Sequence, residues 1–231
     1  MKQQEFESRY AGLPAGTSHD FGGEVVELER PLVIRHGITL SNAEFHHLTP
    51  AATIEIKSQR DGRGHQRGVL EKCRIVGHQG AGIGLIVASP NVRLRDVLIE
   101  GAGCGLELRR LAFLFAAEGC VIKRNQDGVA IDAEAYMRGK GENVSFHHCS
   151  ISGNAVDGFR LKRARVALFA CSVDYNGRHG VTLVHRAELK SFGSHFETEV
   201  GREHVFDADG TGEWIDFGSK IHKIDHGRAV G

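Results

Sequence analysis

Four of the five cysteines in this chain fall in a single column once one apolar slot is aligned per turn. The slot is Ile75, Ile99, Ile122, Ile151, Val173, Phe196 and Ile221, with Pro50 as an earlier candidate, and its members stand about 22 to 29 residues apart. Two residues before each slot come Cys73, Val97, Cys120, Cys149, Cys171, Ser194 and Ser219. A column of small, weakly polar side chains reads as buried packing thiols, not as a metal or redox site. Cys104 alone stands off it. The odd count and the absence of any C-x-x-C pair indicate neither a disulfide framework nor a zinc ribbon.

Two further columns share this register. Three residues after the slot stand Asn125, Asn154 and Asn176, placed to hydrogen-bond from rung to rung as amide ladders do. Next comes a glycine that opens an alternating apolar strand: Gly82, Gly105, Gly128, Gly158 and Gly180. Residues 143–161 show the whole unit. Val144/Phe146, Cys149/Ile151 and Phe159/Leu161 are three short strands with one face in and one out. His147-His148 turns the first corner and Ser152-Gly153-Asn154 the second, and the pair His46-His47 repeats the first corner early in the chain. One such unit cannot bury its inner face alone, so the chain must stack them, and a repeat in the twenties with three short strands defines an all-β parallel β-helix.

Thirty glycines against four prolines suit many tight turns. Charges balance at 29 basic against 29 acidic residues, which argues against a nucleic-acid platform or a polybasic membrane surface. No apolar run reaches the length of a membrane span, and no signal-type stretch follows Met1, so the expected location is the cytoplasm or a virion. Residues 1–21 read as an N-terminal cap or arm, 22–225 as the solenoid and 226–231 as a polar tail. Phe192, Phe196, Phe206, Trp214 and Phe217 are expected to plug the C-terminal core.

The recurring apolar pair, Asn, Gly and second apolar pair resembles the right-handed parallel β-helix of the pectin lyase-like superfamily. The resemblance implies about eight coils stacked roughly 4.8 Å apart, a rod of about 40 Å. The longest insertions, 57–67 and 133–142, follow the same strand position and should project from one edge, where function is expected.

Just before the strand-opening glycines lies another column, which includes Cys104, Asp127, Asp157 and His179. Stacked carboxylates at rung spacing cannot both ionise cheaply, so one of the pair would hold a proton and serve as a general acid. Asp before Gly is also ordinary turn chemistry, and that reading stands beside it. Asn125-Gln126-Asp127-Gly128, Asp157-Gly158 and Arg178-His179-Gly180-Val181 resemble, in order, the Asn-Thr-Asp, Asp-Asp and Gly-His-Gly motifs of polygalacturonase-type glycoside hydrolases. That resemblance implies Asp127 and Asp157 as acid and base with His179 in support. Arg160, outward on the neighbouring strand, is read as a residue for an anionic sugar, with Lys162 and Tyr136 as further substrate-binding candidates. Two departures stand out: Val156 replaces the first Asp of Asp-Asp, and Arg160-Leu161-Lys162 offers the letters of the Arg-Ile-Lys motif one coil early. No cofactor and no metal site is expected, and the His pairs read as structural.

Two functions are compatible with these residues. One is a non-enzymatic β-helix, such as a phage decoration or tail component, self-associated as a homo-oligomer (a trimer included) through outward apolar residues such as Leu114 and Phe169. The other is a glycoside hydrolase or lyase whose partner is an acidic polysaccharide. Short length, the missing export signal and the incomplete motif match favour the first.

Overall fold

The computed structural model describes residues 1–14, 16–35, 37–57, 68–109, 112–132, 143–199 and 202–224. Both long loops expected to carry function lie almost wholly outside these residues, and Tyr136 with them. The described chain is a parallel β-helix of about eight turns, each turn laying one short strand on each of three sheet faces. The first face contains Val92–Arg95, Ala116–Glu118, Val144–His147, Arg165–Phe169 and Glu188–Phe192; the second contains Leu98–Glu100, Val121–Lys123, Ser150–Ser152, Ser172–Asp174 and His195–Glu199. The third is an eight-stranded sheet running from Leu32–Arg35 to Val205–Asp207. All named pairings are parallel, as stacking of successive coils requires.

The aligned slot is the register of the second face: Ile75 pairs with Ile99, Ile99 with Ile122, Ile122 with Ile151, and Val173 with Phe196. It continues back through Phe45, the partner of Ile75, to Val26, the partner of Phe45, and does not pass through Pro50. The shift has a physical cause. The strand Thr39–His47 bends through left-handed Asn42 and so serves the first and second faces in one run. His46-His47 therefore ends a strand and does not turn a corner, whereas His148 does, with φ of 52°.

The corners follow one rule. Immediately before the Cys/Ser column stand Asn42, Lys72, Asp96, Gly119, His148, Ala170, Gly193 and Gly218, every one with positive φ. The turn demands that conformation whatever side chain is present, at a cost of about 1 kcal/mol for a residue with Cβ.

Inside, the thiols of Cys73, Cys120, Cys149 and Cys171 are buried and donate to the carbonyls two residues earlier. Burial pushes the Cys73 thiol up, and the hydrogen bond with Cys149, with burial added, pushes up those of Cys120 and Cys171, which keeps all three protonated and inert. The asparagines form the expected ladder, Asn125 Nδ2 donating to Asn154 Oδ1 at 3.2 Å and Asn154 Nδ2 to Asn176 Oδ1 at 2.9 Å. Each also reaches back to a carbonyl of the preceding coil, those of Ile99, Ile122 and Ile151. The glycine column is crowded by this ladder and by the backbone of the next coil: a Cβ on Gly105, Gly128 or Gly158 would stand 2.7, 2.8 and 2.7 Å from the Nδ2 of Asn125, Asn154 and Asn176, and 2.8, 2.5 and 2.6 Å from the carbonyl oxygens of Gly128, Gly158 and Gly180.

The helix Gln3–Ala11 covers the first coil, with Phe6 buried against Phe21 and Phe45. The first strand begins at Ser18, ahead of the Gly22 start read from the sequence. At the other end the aromatic group divides. Phe196 is buried with Trp214 packed on it, and the indole N–H donates to Ser191 Oγ at 2.9 Å. Phe192 and Phe217 instead continue an outer stack on the first face, His147–Phe169–Phe192–Phe217, with ring centres 4.6, 4.7 and 4.7 Å apart. The expectation that all five aromatics plug the core is thus corrected: strand alternation sends these two outward.

Candidate functional site

The third sheet positions the candidate residues. Its strands Asp127–Asp132, Asp157–Lys162 and His179–Val184 lie side by side, with Ala130, Arg160 and Thr182 in one row and Asp132, Lys162 and Val184 in another. Outward side chains here surround a depression of about 460 Å³ lined in part by Asp127, Arg160, Lys162, Glu107, Asp132 and Cys104. Three residues singled out from the sequence, Asp127, Arg160 and Lys162, therefore meet in one place.

Asp157 and His179 do not join them. Asp157 is completely buried and held by Arg178 of the next coil, whose Nε donates to Oδ1 at 2.9 Å and whose Nη2 donates to Oδ2 at 2.5 Å. A carboxylate sealed beneath the surface and bonded through both oxygens to a guanidinium is a structural group, unavailable for proton transfer to a ligand. Its backbone N–H donates to Asp127 Oδ1 at 3.4 Å. His179 is paired with Asp157 in register, but its ring lies flat on Phe206, centres 4.6 Å apart, with Nδ1 3.4 Å from the Glu203 carbonyl.

Around the depression the charges are largely matched. Arg109 binds Glu107 at 2.9 Å and Lys162 binds Asp132 at 3.0 Å, while Arg160 is exposed at the centre of the face. Asp127 is half-buried at one side. Cys104, half-buried in the lining, has its thiol pushed up to about 12 by desolvation, so it offers no nucleophile. The groove can bind an anion through Arg160 and Lys162 and bring a carboxylate, Asp127, beside it.

A smaller depression of about 200 Å³ lies on the first face between Arg93, Arg95, Glu118, His147 and His148. The His pairs hold no metal arrangement: His46 sits 2.5 Å from Glu44, His47 is buried, and His147 stacks on Phe169. Among the described residues, the one group of three ligating side chains close enough for a metal ion is Asp174, His195 and Glu197, on the second face. No described helix is long and apolar enough to cross a membrane.

Sequence reasoning missed Glu107, Asp132 and Arg178. The first two sit at ordinary outward strand positions, and a salt bridge between coils has no signature in the order of residues. Arg178 was visible only as the letter before His179.

The fold is that of parallel β-helix proteins. The chain matches no protein-family model and no curated protein. Among solved structures it is similar to pectate lyase Pel9A, with a TM-score of 0.60 at 11% identity over 95% of this chain and 72% of that one. It is similar also to a mutant of the periplasmic alginate epimerase AlgG, with a TM-score of 0.56 at 13% identity over 90% of this chain and 50% of that one. A second AlgG mutant gives 0.54 at 13% identity over 88% and 47%. At these identities the likeness is one of fold, and the chain spans about half the length of these AlgG structures. Nothing here supports the virion role that the sequence favoured, whereas the similar folds are polysaccharide-active.

Proposed function

We propose that the protein is a polysaccharide-active β-helix enzyme that takes an acidic glycan across its third sheet. Arg160 and Lys162, two residues apart on one strand, point the same way and engage uronate carboxylates, Arg160 through its planar fork. Asp127, at the side of the same depression, is the group placed to exchange a proton with the bound sugar. Asp157, held by Arg178, braces the strand that carries Arg160 and Lys162. The observation that carries this reading is the convergence of Asp127, Arg160 and Lys162 on one depression. The fold likeness supports it, since the proteins it resembles are named for pectate and alginate, both uronate polymers.

The reading is tested by calorimetry with defined oligogalacturonate and oligoalginate against neutral cello-oligosaccharide. An acidic oligomer should bind and the neutral one should not, with affinity falling at least about tenfold in Arg160→Ala and in Lys162→Ala. Equal affinity for charged and neutral oligomers, or unchanged binding in both variants, overturns it.

A further inference from the structure

The strands Ser172–Asp174 and His195–Glu199 are neighbours on the second face, with Ser172 opposite His195 and Asp174 opposite Glu197. Residues two apart on a strand share a face, so Asp174, His195 and Glu197 all point outward on adjoining rungs. Their ligating atoms lie within 4.8 Å of one another. His195 Nδ1 stands 3.3 Å from Asp174 Oδ1. Donors bound to one tetrahedral Zn²⁺ at ordinary bond lengths are also about 3.3 Å apart.

A second observation comes from Asp174 itself. Only 9% of its surface is exposed, and Oδ1 is buried with no hydrogen bond, its near neighbour His195 Nδ1 standing at ion-pair distance. The other oxygen is taken by the Ser172 hydroxyl. A buried carboxylate oxygen without a hydrogen bond is costly. A bound cation removes that cost. On the next strand His222, the register partner of Glu197, is exposed with its ring centre 5.2 Å from that of His195.

We propose that Asp174, His195 and Glu197 form a binding site for a divalent transition ion of the Zn²⁺ type, with His222 at its rim. Mixed imidazole and carboxylate donors suit Zn²⁺, Co²⁺ or Ni²⁺, whereas Ca²⁺ takes six or more oxygens. The ion ties two successive coils together on the second face, away from the third-sheet depression, and binds whether or not that depression acts on a glycan.

The test uses the untagged full chain, stripped with a chelator and titrated with ZnCl₂ by calorimetry and with CoCl₂ by visible absorption. One saturable ion per chain is expected, with a cobalt ligand-field band. Glu197→Gln and His195→Gln should each weaken Zn²⁺ binding at least about tenfold, with unchanged circular dichroism, because loss of one donor of three removes a bond without disturbing the strand. Asp174→Asn should abolish it, and Glu197→Gln, at a half-buried site, keeps the test sound if Asp174→Asn fails to fold. Absence of saturable binding would reduce the cluster to a His195–Asp174 ion pair and overturn the proposal. So would a wild-type affinity preserved in both Glu197→Gln and His195→Gln, which would place the ion on other histidines.

Discussion

Asp157 and His47 show what burial does to an ionisable side chain in a coil. Asp157 has no exposed surface and gives both oxygens to Arg178, so removing the guanidinium strands a carboxylate. Arg178→Met should destabilise by about 2 to 4 kcal/mol in urea unfolding, more than Asp157→Asn, which leaves no buried charge behind. Equal losses would mean that the pair is worth no more than a surface contact. His47 is buried, its Nε2 lacks a hydrogen bond, and desolvation, with His46 and His78 nearby, lowers its pKa to about 4. The unfolded chain takes up that proton near pH 6.5 and the folded chain only near pH 4, so stability is complete above about pH 6.5 and falls as pH drops through that window. His47→Leu should flatten this dependence by about 1 to 3 kcal/mol between pH 7 and pH 4.5, read from urea midpoints. A slope unchanged by the substitution would assign the acid sensitivity elsewhere.

At the scale of the element, ladders carry the stability of the solenoid. The outer stack His147–Phe169–Phe192–Phe217 gives its inner members two ring contacts and its last member one, with Phe217 half exposed. Each aromatic pair contributes about 0.5 to 1.5 kcal/mol, so Phe169→Ala should cost about twice as much as Phe217→Ala in thermal unfolding. Equal costs would show that the rings are spectators to the backbone pairing. The cysteine, asparagine and glycine columns were legible in the sequence because each needs one residue type at one point of every coil. The left-handed corner was not, since Lys72, His148 and Ala170 occupy it beside Asn42, Asp96 and Gly119: backbone geometry is common to them and side-chain chemistry is not. Phe45 escaped alignment because its strand bends where later coils break. Asp174, His195 and Glu197 flank the aligned slot, and reading the positions on either side of it would have brought them out.

Across the whole molecule, stacking makes function a property of faces. Three sheet faces run along the stacked coils, so residues distant in sequence, Glu107 and Lys162 among them, line one depression, while residues adjacent on a strand part company. The sequence column of Asp127, Asp157 and His179 is real as a register and divided as a site: the depression receives Asp127, the interior takes Asp157, and Phe206 covers one face of His179. Sequence order alone favoured a structural component because incomplete motifs count against catalysis, whereas the fold brings Asp127, Arg160 and Lys162 to one depression. The most direct measurement is product release from polygalacturonate and alginate, followed as reducing ends and as absorbance of unsaturated product, for wild type, Asp127→Asn and Arg95→Gln. The wild type should release product from at least one polymer, Asp127→Asn should lose about a hundredfold or more, and Arg95→Gln, on the opposite depression, should retain the wild-type rate. No release by the wild type, or a loss confined to Arg95→Gln, would contradict the assignment of activity to the third sheet.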